Sequence, residues 1–92
     1  MLELSHADDI LGQVILTFDG RVLEKFSERS AEAERMIVGL LHLEVTEPDR
    51  KGRREVWFTC RPKRRGGGFR LTVADEEWAG VEPFVRDVGA AL

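Results

Sequence analysis

Several features are scarce in this sequence of 92 residues, and each scarcity removes a class of structure. Cys60 is the single cysteine, so no disulfide can form within the chain. Together with His6 and His42 it supplies too few ligands for a zinc site at any recognisable spacing. We therefore predict no metal and no cofactor, and we interpret Cys60 as a small buried hydrophobic residue.

Long hydrophobic runs are also missing. No run approaches the ~20 apolar residues that a membrane-spanning helix needs, so we predict that this is not an integral membrane protein. The first nine residues are acidic and lack the basic start and apolar stretch of a signal peptide, which favours a cytoplasmic location. The length suits a single domain, residues 1–92, with one modest core.

Catalytic motifs of the common hydrolases, phosphate-binding loops and metalloproteases do not occur. His42 is the candidate for a general base. It shares a strand face with Glu44 and Thr46, where a histidine is more often a solvated surface residue. His6 lies near the terminus, and the acidic run at residues 75–77 suits a helix N-terminus without any metal. We predict that the protein is not an enzyme.

The N-terminal part changes from an irregular start to two strands. Residues 1–11 show no clear period and are interpreted as a lead-in segment. Residues 14–18 and 21–26 are rich in β-branched and aromatic side chains, and Asp19-Gly20 stands between them. This pattern predicts a β-hairpin with a type I′ turn, whose two central residues both need positive φ.

The segment after this hairpin has two interpretations. A helix beginning at Ser30 is one. Gly39 and the β-branched pair Ile37-Val38 instead favour a loop over residues 28–34 and a short strand over residues 35–38.

Three further strands follow, joined by turn-forming residues. A Pro-Gly turn at residues 48–52 connects the first two, and a basic, Gly-rich loop at residues 61–68 connects the last two. Alternating or β-branched patterns place the strands at residues 42–46, 55–60 and 69–73.

The period changes from strand to helix at Asp75, which we interpret as an N-cap. Pro83 would remove a hydrogen bond from the helix interior, and Gly80 weakens the same turn. We therefore expect a helix over residues 75–91 that is kinked or broken near Pro83. Its apolar stripe is formed by Trp78, Val81, Val85, Val88 and Leu92.

The order of elements predicts an α+β, mostly β fold, because no strand–helix–strand alternation is present to build a parallel sheet. We expect a bent antiparallel sheet, or a partly open barrel, of about six to seven strands. It occupies residues 13–74, and the C-terminal amphipathic helix caps it.

Several segments resemble the small bacterial members of the pleckstrin-homology-like (PH-like) family. They are residues 35–45, the turn at 49–53, and the passage from strand 69–73 to Trp78. The resemblance covers about residues 13–92 and implies a partly open barrel with its C-terminal helix plugging one end. Lipid-binding relatives carry basic residues around a longer first hairpin loop than Asp19-Gly20, so the resemblance does not imply a phosphoinositide site.

The formal net charge of −3 hides a strong asymmetry. Residues 50–70 hold nine of the fourteen Lys and Arg residues and a single acid, Glu55, so this segment carries +8 and the rest −11. Its two basic loops flank the strand at 55–60, which separates them by roughly 20–25 Å. They are interpreted either as solvated loops that limit aggregation or as contacts for an acidic protein, nucleic acid or anionic lipid.

Trp57, on the strand between these loops, also has two interpretations: core packing on a curved sheet, or an exposed interface anchor. We predict a non-enzymatic interaction module that binds a protein partner or a second copy of itself, through basic loops meeting acidic surface. A polyanion binder, for nucleic acid or an anionic membrane, is the alternative. The candidate interaction surface comprises Arg50, Lys51, Arg53, Arg54, Trp57, Arg61, Lys63, Arg64 and Arg65.

Overall fold

In the computed structural model, which describes residues 1–29, 33–60 and 68–92, seven strands precede one helix. The strands are β1 (Leu2–Asp8), β2 (Gly12–Phe18), β3 (Val22–Ser27), β4 (Glu34–Ile37), β5 (Leu41–Val45), β6 (Arg53–Cys60) and β7 (Gly68–Ala74), and the helix is α1 (Asp75–Ala90). The first four strands form one antiparallel sheet in chain order, and the last three form another. The α+β, mostly β class is therefore confirmed, although the described strands do not close into a barrel.

The N-terminal segment is a strand, so the lead-in predicted for residues 1–11 is wrong. β1 pairs along its whole length with β2. Its inward positions are Leu4, His6 and Asp8, all buried. Because two of these three residues are polar, the alternation that identifies a half-buried strand is absent from the sequence.

The hairpin predicted for β2 and β3 is present, but its turn is not type I′. Within this turn, only Gly20 has a positive φ, at 97°. The Asp19 carboxylate accepts hydrogen bonds from the backbone N–H groups of Arg21 and Val22, both at 2.8 Å. These bonds stabilise a connection longer than the two residues of a type I′ turn.

The middle of the chain follows the predicted order. β4 confirms the short strand expected at residues 35–38, and a single 3₁₀ turn, Val38–Leu40, links it to β5. The helix alternative began at Ser30, which lies outside the described residues. Gly52 adopts a φ of 73° in the turn between β5 and β6, as its place in the predicted turn requires.

One hydrophobic core joins the inward faces of both sheets to α1. Phe58 on β6 and Phe69 on β7 stack with their ring centroids 4.8 Å apart near its centre. Each fully buried Leu or Phe contributes about 1.5–3 kcal/mol. The buried apolar side chains from the strands are Leu4, Val14, Leu16, Phe18, Leu23, Met36, Leu41, Val56, Phe58, Phe69, Leu71 and Val73.

The C-terminal helix is uninterrupted from Asp75 to Ala90, so of the two outcomes predicted near Pro83, a kink or a break, the break is wrong. Pro83 lies on the exposed side, while its neighbours Val81, Phe84 and Val85 are buried. Their burial offsets the ~3 kcal/mol that a proline costs in a helix interior. No helix in the described residues has the length and apolarity to cross a membrane.

The helix begins differently from the prediction at its first turn. Ala74 is the N-cap, and Asp75 is the first helical residue. The Ala74 N–H donates to Glu77 Oε1 at 3.1 Å. A side chain of the first helical turn therefore accepts the hydrogen bond of the N-cap N–H. Asp75 instead accepts a 2.7 Å hydrogen bond from Arg54 on β6. Leu92 is 53% exposed and does not belong to the buried stripe.

Candidate interaction groove

The outer face of the β5–β7 sheet carries polar residues around one tryptophan. Pairing between the strands aligns Glu44, Trp57 and Arg70 in a row across the sheet. The Arg70 guanidinium lies 5.4 Å from the centroid of the Trp57 ring. Its Nη1 is also 2.9 Å from Glu55 Oε2 on β6. Arg70 therefore makes a cation–π contact with Trp57, which keeps 36% of its surface exposed.

The turn between β1 and β2, residues 9–11, lies beside this face and is held there by Asp8. The Asp8 carboxylate accepts N–H bonds from Ile10 and Leu11 in the turn, both at 3.0 Å. It also accepts the Thr72 N–H of β7 at 2.8 Å. One side chain therefore joins the turn to the edge of the second sheet.

His6 completes this connection on β1. Its Nε2 lies 2.9 Å from the Thr72 carbonyl oxygen. Since a carbonyl only accepts, Nε2 must carry the proton. His6 and Asp8 thus bind the backbone carbonyl and the backbone N–H of Thr72. These bonds protect the edge of β7 from pairing with another strand at this residue.

A cleft of about 500 Å³ lies between the turn and the outer face. Four carboxylates and two guanidinium groups line it, so acidic groups are in excess. The Arg53 guanidinium lies 3.6 Å from both Asp9 and Asp49 carboxylates. The lining residues are Asp9, Ile10, Thr46, Glu47, Asp49, Arg53, Glu55, Arg70 and Thr72.

A smaller pocket of about 280 Å³ lies beside this cleft. Apolar side chains form most of its walls, and an ion pair between Lys25 and Glu34 adds the polar part. Its lining residues are Ile10, Leu11, Lys25, Glu34, Trp57, Gly68, Phe69 and Arg70. Ile10 and Arg70 line both spaces, so the cleft and the pocket are neighbours, and together we call them the groove.

The buried lysine of the pocket is unusual for an inward position of a strand. Lys25 is only 3% exposed, and its Nζ lies 2.8 Å from Glu34 Oε1. The same ammonium lies 5.1 Å from the centroid of the Phe69 ring. A buried charge needs such partners, because leaving water costs several kcal/mol. Glu34 is about one-third exposed, so the pair reaches the surface at the pocket.

Backbone hydrogen bonds lower the pKa of two carboxyl groups, Asp49 in the cleft and Asp8 beside it. The N–H groups of Arg53 and Lys51 donate to Asp49 and lower the pKa of its carboxyl below the ordinary value of 3.8. Burial alone would raise the pKa of Asp8, but hydrogen bonds from Thr72, Leu11 and Ile10 outweigh it and lower this pKa as well. Both carboxyl groups are therefore ionised at neutral pH.

The structure divides the basic residues predicted to form the interaction surface. Arg50 and Lys51 are exposed in the turn between β5 and β6. Arg53 lines the groove, whereas Arg54 points to the other side of β6, with its guanidinium 5.0 Å from the Trp78 ring centroid. Trp57 lies in the groove wall. The second basic loop, with Arg61, Lys63, Arg64 and Arg65, lies outside the described residues.

The candidate catalytic and metal-binding residues are not gathered into this groove. His42 lines neither the cleft nor the pocket, and Cys60 is half-buried beside the core. In the described part of the chain, no group of three or more His, Cys, Asp or Glu side chains is placed to hold a metal ion.

Most of the groove residues did not stand out in the sequence. Ile10 and Asp9 fall in the segment interpreted as a lead-in, and Lys25 and Glu34 meet only because β3 pairs with β4. The position of Arg70 could have been predicted from the sequence. Aligning strands 55–60 and 69–73 as a hairpin places it beside Trp57.

Comparison with known proteins identifies no relative of this chain. It matches no protein-family model, no characterised protein and no solved structure.

Proposed function

We propose that this domain is a non-enzymatic interaction module, and that a segment of a protein partner binds in the groove. The observation that carries this proposal is the arrangement of one small apolar pocket directly beside a larger acidic cleft. Partner segments commonly anchor one apolar side chain in such a pocket, with polar contacts around it.

The apolar half of the groove has the features of an anchor site. Ile10 is 60% exposed although it is a large aliphatic residue, and Trp57 presents its ring beside it. Tryptophan is enriched among residues that dominate binding energy, because a large rigid ring buries much area at little entropic cost. The pocket therefore favours an apolar side chain of the partner.

The polar half favours a partner with Lys or Arg. Glu47 makes no ion pair with another described residue, and Asp9 is 70% exposed beside it in the cleft. The two arginines of the cleft already contact Asp9, Asp49 and Glu55. An anionic ligand would therefore meet neutralised guanidinium groups and excess carboxylate, which argues against a polyanion as the occupant.

The order of the elements supports a PH-like fold for this module. Seven antiparallel strands precede a C-terminal helix whose Val81, Phe84, Val85 and Val88 enter the core between the sheets. The PH-like resemblance implies the same order of elements, which is the support for this part of the proposal.

Fluorescence anisotropy with short labelled peptides tests the proposal. One peptide carries a leucine followed by three lysines, a second replaces the lysines with glutamates, and a third replaces the leucine with serine. We expect only the first to bind well. Trp57→Ala should weaken its binding about thirtyfold, the loss typical of a hot-spot residue.

Phe26→Ala provides the matched control. Phe26 is an exposed aromatic residue on the outer face of the other sheet, 45% exposed, and it does not line the groove. This variant should bind like the wild type. Equal losses in both variants, or preference for the glutamate peptide, would overturn the proposal. Tight binding of duplex DNA or anionic vesicles at about 50 mM salt would instead favour the polyanion alternative.

A further inference from the structure

The chain itself contains a segment with the basic and apolar side chains that the groove favours. The inference drawn from this segment rests on the proposed function. Residues 61–67 read Arg-Pro-Lys-Arg-Arg-Gly-Gly and hold four basic residues and no acid. The described residues hold ten basic and sixteen acidic side chains, a formal net charge of −6. We propose that the groove of one copy binds residues 61–65 of a second copy.

The order of side chains in this segment matches the order of the two spaces. Pro62 offers an apolar ring for the pocket beside Trp57, and proline rings pack well on aromatic surfaces. Lys63, Arg64 and Arg65 follow directly and meet the carboxylates of the adjoining cleft.

In one copy, the acidic end of the cleft is distant from both ends of this segment. Thr59 and Gly68, beside the two ends, are paired opposite each other on β6 and β7. Arg53, which marks the acidic end with Asp49, lies six residues before Thr59, roughly 20 Å along the strand. A second copy can present its own segment at that end without crossing this distance.

Two copies can each bind the basic segment of the other and so form a dimer. Each copy supplies one groove and one basic segment, so two copies related by a two-fold axis form two identical contacts. Once the first contact forms, the second becomes intramolecular and strengthens the pair. We therefore expect a dimer whose dissociation constant rises with salt, since the contacts are largely between exposed charges.

A charge-exchange experiment tests this contact. The first variant carries K63E, R64E and R65E, and the second carries D9K and E47K. Analytical ultracentrifugation at about 50 mM salt should show a dimer for the wild type and monomers for each variant alone. The equimolar mixture of both variants should form a heterodimer, because each groove again faces a segment of opposite charge.

A peptide of sequence Arg-Pro-Lys-Arg-Arg provides a second test that needs no variant. It should dissociate the wild-type dimer, whereas Arg-Pro-Glu-Glu-Glu should not. A wild-type monomer, or a first variant that remains a dimer, would overturn the inference. The proposed function is judged separately, because the first variant keeps its groove and should still bind the leucine–lysine peptide. Loss of that binding in a folded first variant would count against the function as well.

Discussion

Removal of the Asp8 side chain tests how the groove is built. In Asp8→Ala, the N–H groups of Ile10, Leu11 and Thr72 lose their common acceptor. Two of these groups belong to the turn beside the groove, and the third belongs to β7. The substitution should therefore lower stability and release the turn from the outer face of the second sheet.

The expected loss follows from where each N–H lies. Ile10 is well exposed and Leu11 half-buried, so water can replace the carboxylate there at a cost of about 0.5–1 kcal/mol each. The Thr72 N–H lies between the sheets, and a bond from such a group to a charge contributes about 1.5–3 kcal/mol. We expect a total of about 3 kcal/mol, or a fall in Tm of about 15 °C for a domain of this size.

Urea unfolding followed by circular dichroism measures this loss, and its pH dependence gives a second check. The pKa of Asp8 is lowered in the folded state, from its ordinary value of 3.8. Its contribution is therefore complete above that value and is lost as the pH falls through the lowered pKa. The difference between wild type and Asp8→Ala should shrink on acidification below about pH 4.

Asp19→Ala is the control, because Asp19 also accepts two backbone N–H bonds, but in a fully exposed turn. It should cost much less than Asp8→Ala and leave peptide binding unchanged. Equal losses in the two variants would refute the reasoning that Asp8 joins the turn to β7.

The remaining predictions concern the buried lysine and two glycines. Glu34→Gln should destabilise the domain by about 2 kcal/mol in urea unfolding, because it leaves the buried Lys25 ammonium without its counter-charge. Lys25→Met should cost less, since water can hydrate the one-third exposed Glu34, and the opposite order of losses would contradict this. Gly80→Ala, at an exposed helix position with open space, should raise stability by about 0.5–1 kcal/mol. Gly68→Ala should unfold at lower temperature in calorimetry, because φ is +142° and the new Cβ would meet the Phe58 carbonyl; an unchanged Tm would be evidence against this backbone geometry.

Much of the fold could be predicted from the sequence, because local patterns report it directly. Residues 69–73 alternate between apolar and polar side chains, and the apolar ones, Phe69, Leu71 and Val73, are buried as such a pattern implies. On the strand at residues 55–60, neighbouring Trp57 and Phe58 must face opposite sides, and the exposure of Trp57 on the outer face is one of its two predicted outcomes. The change of period at Asp75 gave the helix to within one residue of its end.

The remaining features depend on contacts between distant residues. His6 and Asp8 lie inward on β1 because Thr72, far along the chain, supplies their partners. Lys25 is tolerated in the core because Glu34 meets it across β3 and β4. No local pattern indicates such pairs. Pro83 shows the reverse case, where buried neighbours overrule a strong local preference.

Backbone and indole NMR signals followed during titration with the leucine–lysine peptide test the central claim most directly. If the peptide binds in the groove, we expect the largest chemical-shift changes at Ile10, Leu11, Arg70 and the indole N–H of Trp57. The turn at residues 50–52 and the exposed Phe26 should shift little. Shifts confined to that turn or to the outer face of the first sheet, with the groove unchanged, would contradict the account.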